Sequence, residues 1–149
     1  MNLKHLDSEV DFIVIPSTFL GVFDIYDREE TLGCYLDQFN PNDPKHLEKL
    51  LEERFFNDKR ILRYTVNHKI EMMTVLIKAL NNKNFDFAPL LVSDPDNSFD
   101  TFILPQSWEF NRPRFYFEEI YRLALKNWGH DLIEAGFNMS IEDNILLSI

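Results

Sequence analysis

Leu62, Val66, Ile70, Met73, Ile77 and Leu80 step along the chain by 4, 4, 3, 4 and 3 residues. That interval matches the turn of an α-helix, so the six apolar side chains stack on one face and need a second surface to bury against. The same signature recurs through most of the chain. Leu47, Leu50, Leu51 and Phe55 form another stripe, with Lys45, Glu48, Lys49, Glu52 and Glu53 on its wet side. Asp43-Pro44 opens that helix with an N-cap and a proline at the first helical position, where the missing N–H costs nothing. Asp58 is read as the cap of the helix that carries the 62–80 stripe. A strand over 61–66 followed by a helix capped at Asn67 competes, because β-branched residues cluster there.

Towards the N-terminus, Ser17 is read as an N-cap followed by Phe19, Val22, Phe23 and Tyr26 on one face. Asp27 with Glu30 has the spacing of a capping box and precedes Leu32, Tyr35, Leu36 and Phe39. Gly21 and Gly33 inside these patterns keep a strand alternative open. After Pro113, the residues Phe117, Ile120, Tyr121, Ala124, Leu125 and Trp128 share a face, and Gly129 is placed to end the helix. A short helix over 130–135 then stops at Gly136, and Ser140 with Asp143 caps a last one carrying Ile145, Leu146 and Ile149.

Residues 81–113 lose the helical period and carry Pro89, Pro95, Pro105 and Pro113. Two apolar pieces, 87–92 and 101–104, have the length to pair as a hairpin around the polar turn between them. The expected fold is therefore mainly α: a single-domain helical bundle of about six helices over residues 1–149, with room for one small β-hairpin. The alternative is α+β with a small antiparallel sheet.

A chain of 149 residues with 45% hydrophobic content and 14 Phe can bury roughly 68–70% of its unfolded surface without staples. Cys34 is the only cysteine, so no intrachain disulfide forms, and it is read as a small buried hydrophobe. Asp7, Glu9 and Asp11 would interrupt a signal peptide. The longest nearly apolar run, 12–23, is broken by Pro16, Ser17 and Thr18 and is too short to span a bilayer. The expected compartment is the cytosol.

Charge separates the classes of partner. The net charge is −10, spread unevenly: residues 1–43 hold nine acids against two bases, residues 44–83 five against nine, and residues 84–111 five acids and no base. Such a field repels phosphate backbones and anionic membranes and draws in cationic partners. Neither nucleic acid nor membrane is an expected partner.

The stretch SDPDNSFD, residues 93–100, puts three carboxylates within seven residues. Asp94, Asp96 and Ser98 occupy positions 1, 3 and 5 of a calcium loop, but Phe99 stands where the sharp turn wants Gly and Pro105 where a bidentate Glu belongs. Asx turns and solvation explain the run without a ligand. The four histidines, at 5, 46, 68 and 130, are scattered, and His68 is read as a half-exposed helix residue. No Gly-x-Ser-x-Gly, Ser-x-x-Lys or glycine-rich phosphate loop occurs. The pairs Glu29-Glu30, Glu52-Glu53 and Glu118-Glu119 diverge by about 100° on a helix, so they are read as solvated faces. No metal, cofactor or catalytic residue is expected, although an enzyme built from distant carboxylates stays open.

The remaining signal is aromatic. Trp108-Glu109-Phe110 lies in the irregular segment beside Arg112 and Arg114, the mixture of large ring and charge found at interface hot spots. An acidic chain without a catalytic motif, carrying an acidic and aromatic segment, resembles the bacterial immunity proteins that neutralise contact-dependent or polymorphic toxins. Composition and charge carry the resemblance. It implies a one-to-one complex with a cognate basic toxin, often a nuclease, whose active site or substrate groove is covered by carboxylates. Asp94, Asp96, Asp100 and Glu109 with Trp108 as anchor form the first expected surface, and Asp24, Asp27, Glu29 and Glu30 the second. The alternative is a helical adaptor or regulatory subunit that binds a protein or peptide through Lys59, Arg60, Arg63 and Lys69.

Overall fold

Most helices in this chain begin where a side chain or a proline relieves the first unpaired amides. The computed structural model describes residues 2–92 and 102–141. Pro16–Phe23 is a 3-10 helix that opens on its proline, with Thr18 Oγ1 accepting from the Ile15 amide at 3.0 Å. Ser17, expected as the cap, lies inside that helix and is buried. Glu29–Gly33 is a π-helical turn that leads into the single turn α1 (Cys34–Leu36). No side chain caps it; Asp27 instead takes a left-handed conformation (φ +58°), which a short polar side chain tolerates.

α2 (Pro44–Leu50) starts as its sequence predicts, with Asp43 Oδ1 accepting from the Lys45 amide at 2.9 Å, and continues into the π-helical segment Leu51–Phe56. Leu47, Leu50, Leu51 and Phe55 are all buried. Asp58 caps α3 (Lys59–Leu62) through the amides of Arg60 and Ile61. The long helix expected from Asp58 is in fact broken. α3 ends at Leu62, and α4 (Val66–Asn81) restarts on Thr65, whose Oγ1 accepts from the His68 amide at 3.3 Å. The break rotates the stripe: Leu62 and Val66 face solvent, while Met72, Met73, Leu76, Ala79 and Leu80 are buried.

His68 is the second correction here, because it is buried rather than half-exposed. Its Nε2 lies 2.7 Å from the Lys4 carbonyl, and its Nδ1 lies 2.7 Å from Thr65 Oγ1 and 3.3 Å from the Thr65 amide. With the proton on Nε2, both nitrogens are satisfied. The ring completes a capping box in the place usually held by Glu or Gln and ties the N-terminal segment to α4.

Ala88–Leu91 is a 3-10 turn, so the first arm of the expected hairpin is not a strand. Among the described residues there is no strand, only an isolated bridge between Lys4 and Asp11, and the small antiparallel sheet of the α+β alternative does not form. The fold is mainly helical, as expected.

α5 (Pro113–Glu134) does not stop at Gly129 but runs 22 residues. Its end is a Schellman motif: Gly136 sits at φ +86°, its amide donates to the Ile133 carbonyl at 3.0 Å, and the Phe137 amide donates to the Leu132 carbonyl at 2.9 Å. Two helices flank α5. The start of α4 meets its end, with Lys69 over the Trp128 ring, and the end of α4 meets its start, where Arg114 donates to the Leu80 carbonyl at 2.6 Å; the two run antiparallel. The 44–56 rod runs parallel to α5, since Glu48 pairs with Arg122 and Glu52 with Lys126.

Phe19, Phe23, Phe55, Tyr116 and Phe117 fill the space between these helices and the Pro16–Phe23 helix. Burial pushes the Tyr116 phenol well above its usual range, and its O–H donates to the Phe19 carbonyl at 2.9 Å. The expected solvated face of Glu118 and Glu119 is corrected as well: both are buried, because α5 has neighbours on nearly every side. The cap expected at Ser140 with Asp143 involves residues 142–149, which lie outside the described residues. No helix among the described residues is long and apolar enough to cross a membrane.

Candidate partner-binding surface

The irregular segment after residue 101 is held by hydrogen bonds rather than by regular structure. The Ile25 amide donates to the Ile103 carbonyl at 2.8 Å, and Asp24 Oδ1 accepts from the amides of Tyr26 and Ile103 at 3.1 and 3.3 Å. Asn42 donates to the Glu109 carbonyl at 2.5 Å and accepts from the Asn111 amide at 2.9 Å, while Ser107 Oγ donates to Asp37 at 2.6 Å. The strap from Phe102 to Asn111 thus laces residues 24–42 to the start of α5.

Trp108 is the central rivet of that strap. It is 7% exposed, its Nε1 donates to the Leu36 carbonyl at 3.0 Å, and its ring packs edge-on to Phe23 and Phe110. This corrects its expected exposure: the indole is buried and its N–H is already satisfied within the fold. Glu109 is exposed beside it. Asp94, Asp96 and Asp100 lie outside the described residues, so Glu109 is the one member of the first surface that the structure places at the protein's exterior.

The second surface is placed in full. Asp24 is half-buried and occupied by the two amides, which makes it a structural residue. Asp27, Glu29 and Glu30 are exposed, and none forms an ion pair among the described residues. Asp24, bound to two amides, and the left-handed Asp27 bracket a tight turn that holds Tyr26 67% exposed. Helical spacing had assigned Tyr26 to a buried face; the chain leaves the 3-10 helix at Phe23, so the spacing no longer applies. The signal for it was its place between Asp24 and Asp27.

α1 continues this acidic edge. Cys34 is exposed there, not buried as expected, and Asp37 follows it. Glu53 lies opposite, with both its oxygens accepting from the Tyr35 O–H at 2.9 and 2.8 Å, and this hydrogen bond holds the phenol above its usual range. On the opposite charge, the expected basic face is not assembled as a unit. Arg63 is paired with Asp7 at 2.6 Å and Lys69 lies over Trp128, while Lys59 and Arg60 line a cavity.

Among the described residues, one group can present three ligand atoms to a cation: His130, Asp131 and Glu134, whose ligating atoms lie within 4.8 Å of one another. All three are exposed on the last turns of α5, inside the helix rather than at a helix start. The chain shows no match to any protein-family model, to any characterised protein or to any solved structure with which it was compared.

Proposed function

We propose that this chain is a non-catalytic acidic inhibitor that binds a basic toxin domain of the nuclease kind one-to-one, in the cytosol of the cell that makes it. The observation that carries this reading is the exposed Tyr26 beside Asp27, Glu29 and Glu30, carboxylates without ion-pair partners among the described residues. An exposed aromatic close in the chain to unpaired carboxylates has the make-up of an interface hot spot, in which the aromatic side chain anchors and the charges steer. Carboxylates free of internal cations cost nothing to release before they meet a partner's Lys and Arg. The net charge of −10 adds long-range attraction for a basic protein and repulsion for the nucleic acid such a protein would otherwise bind.

The test is co-expression of the tagged chain with the product of the neighbouring reading frame, followed by capture at low and high salt. The expected result is a stoichiometric complex with a basic protein that is toxic when made alone. The triple variant Asp27→Lys, Glu29→Lys, Glu30→Lys should then weaken the complex by several kcal/mol if the charges pair across the interface. Full affinity in that variant would remove this surface, and a harmless, unbound neighbour would remove the inhibitor reading.

A further inference from the structure

A cavity of about 610 Å³ opens between the N-terminal segment, the Pro16–Phe23 helix and α3. Its volume falls in the range of small-molecule sites, roughly 300–1,000 Å³. Phe12, Phe55 and Met72 contribute to an apolar floor, and Arg28, Arg54, Lys59 and Arg60 bring positive charge to its walls. The one carboxylate among the lining residues is Asp58, and its Oδ2 is already committed to the amides that start α3.

The arginines make this cavity unlike the rest of the molecule. Of the seven in the chain, Arg63, Arg114 and Arg122 hold carboxylates and Arg112 lies over the Phe115 ring. The other three, Arg28, Arg54 and Arg60, all line this cavity, and none has an ion-pair partner among the described residues. Arg54 lies over the Tyr35 ring at 4.9 Å, and its Nε is buried without an acceptor among the described residues. A chain with 25 acids and 15 bases has carboxylates in excess, yet pairs none of these three guanidinium groups with one among the described residues; Arg28 Nη2 donates to the Asp24 carbonyl instead. An oxyanion entering beside Arg54 would supply the counter-charge they lack, because the planar fork of Arg suits carboxylate and phosphate oxygens.

We propose that this cavity is a binding site for a small amphipathic anion: a single carboxylate or phosphate head held by Arg28, Arg54 and Arg60, with an apolar body against Phe12, Phe55 and Met72. Polyanions are excluded, since Asp27, Glu29 and Glu30 flank Arg28 in the chain and the molecule as a whole repels them. The site does not depend on the inhibitor reading, and its test needs no protein partner.

The experiment is calorimetric titration of the purified full chain with decanoate, decyl phosphate, decanol and inorganic phosphate. Saturable binding of a tailed anion, with decanol and inorganic phosphate each weaker by roughly tenfold or more, is the expected result. The tighter of decanoate and decyl phosphate identifies the head group. Arg60→Gln, at an exposed position that leaves the fold intact, and Arg54→Gln should each cost about tenfold in that affinity. No saturable binding of either tailed anion to the wild-type chain would overturn the proposal. So would unchanged affinity in a folded Arg60→Gln, Arg54→Gln double variant, and so would equal binding of decanol, which would make the cavity merely greasy.

Discussion

Glu118 is fully buried, yet among the described residues its Oε1 has no hydrogen-bond partner and its Oε2 reaches only the Arg114 Nε, at 3.4 Å. A pair this loosely joined does not recover the cost of taking a carboxylate out of water. Arg114 is better placed: it donates to the Leu80 carbonyl and lies over the Phe87 ring, so it fastens the end of α4 to the start of α5 without help from Glu118. Glu118→Met, which keeps the volume and removes the charge, should stabilise the fold by about 1–4 kcal/mol. Arg114→Ala should cost about 3–5 kcal/mol, because it strands the buried charge as well as losing the contacts with Leu80 and Phe87. Urea denaturation of both variants checks the pair. A destabilised Glu118→Met would mean that the carboxylate has a favourable partner that this geometry does not provide.

At the scale of elements, the two ends of α4 and α5 that matter most are a threonine and a glycine. Thr65→Ala removes the acceptor for the His68 amide and one partner of the His68 ring, so it should cost about 1 kcal/mol from the cap alone. Gly136→Ala forces a Cβ into a left-handed position at φ +86°, with open space around it, so its cost of about 1 kcal/mol should be backbone strain rather than a clash. Both should lower the urea midpoint with no change in m, as expected for a loss of stability that leaves the surface exposed on unfolding unaltered. The caps at Asp43 and Asp58 were legible in the sequence because Asp readily accepts from the first helical amides, whereas Asp27 offered the same signal and does not cap. Thr65 was not, because the apolar spacing of Leu62 and Val66 continues across the break and hides it. The 3-10 and π segments were equally hidden: an apolar pattern that spans only one or two turns reports a helical face but not its pitch. Of the candidate surface, Asp27, Glu29 and Glu30 were legible as local charge, whereas Trp108 was misjudged because irregular backbone carries no period from which burial can be read. The arginine-lined cavity draws on positions 28, 54, 59 and 60, which only the tertiary fold brings together.

The whole molecule carries a net charge of −10 on a body whose radius of gyration should be about 15 Å for 149 residues. At about 0.01 M salt the screening length is about 30 Å, so every carboxylate feels every other; at about 0.15 M it is near 8 Å, and the repulsion is largely local. The described ion pairs work in the opposite direction, but most are exposed, including Lys4–Asp11, Arg63–Asp7 and Lys126–Glu52, and such pairs contribute about 0–1 kcal/mol each before salt weakens them. Self-repulsion therefore outweighs pairing, and the thermal midpoint should rise when sodium chloride is raised from about 0.01 to 0.15 M, with little further gain beyond. Chloride is the right anion for this measurement, since sulfate would stabilise any fold through preferential exclusion. The same increment of salt should slow association with a basic partner, because the field that strains the free chain is the field that steers the encounter. A scan of Tm and of association rate over one salt series tests both halves: opposite slopes are expected. A Tm that falls with salt would mean that the exposed pairs, and not the excess charge, dominate the electrostatics of the fold.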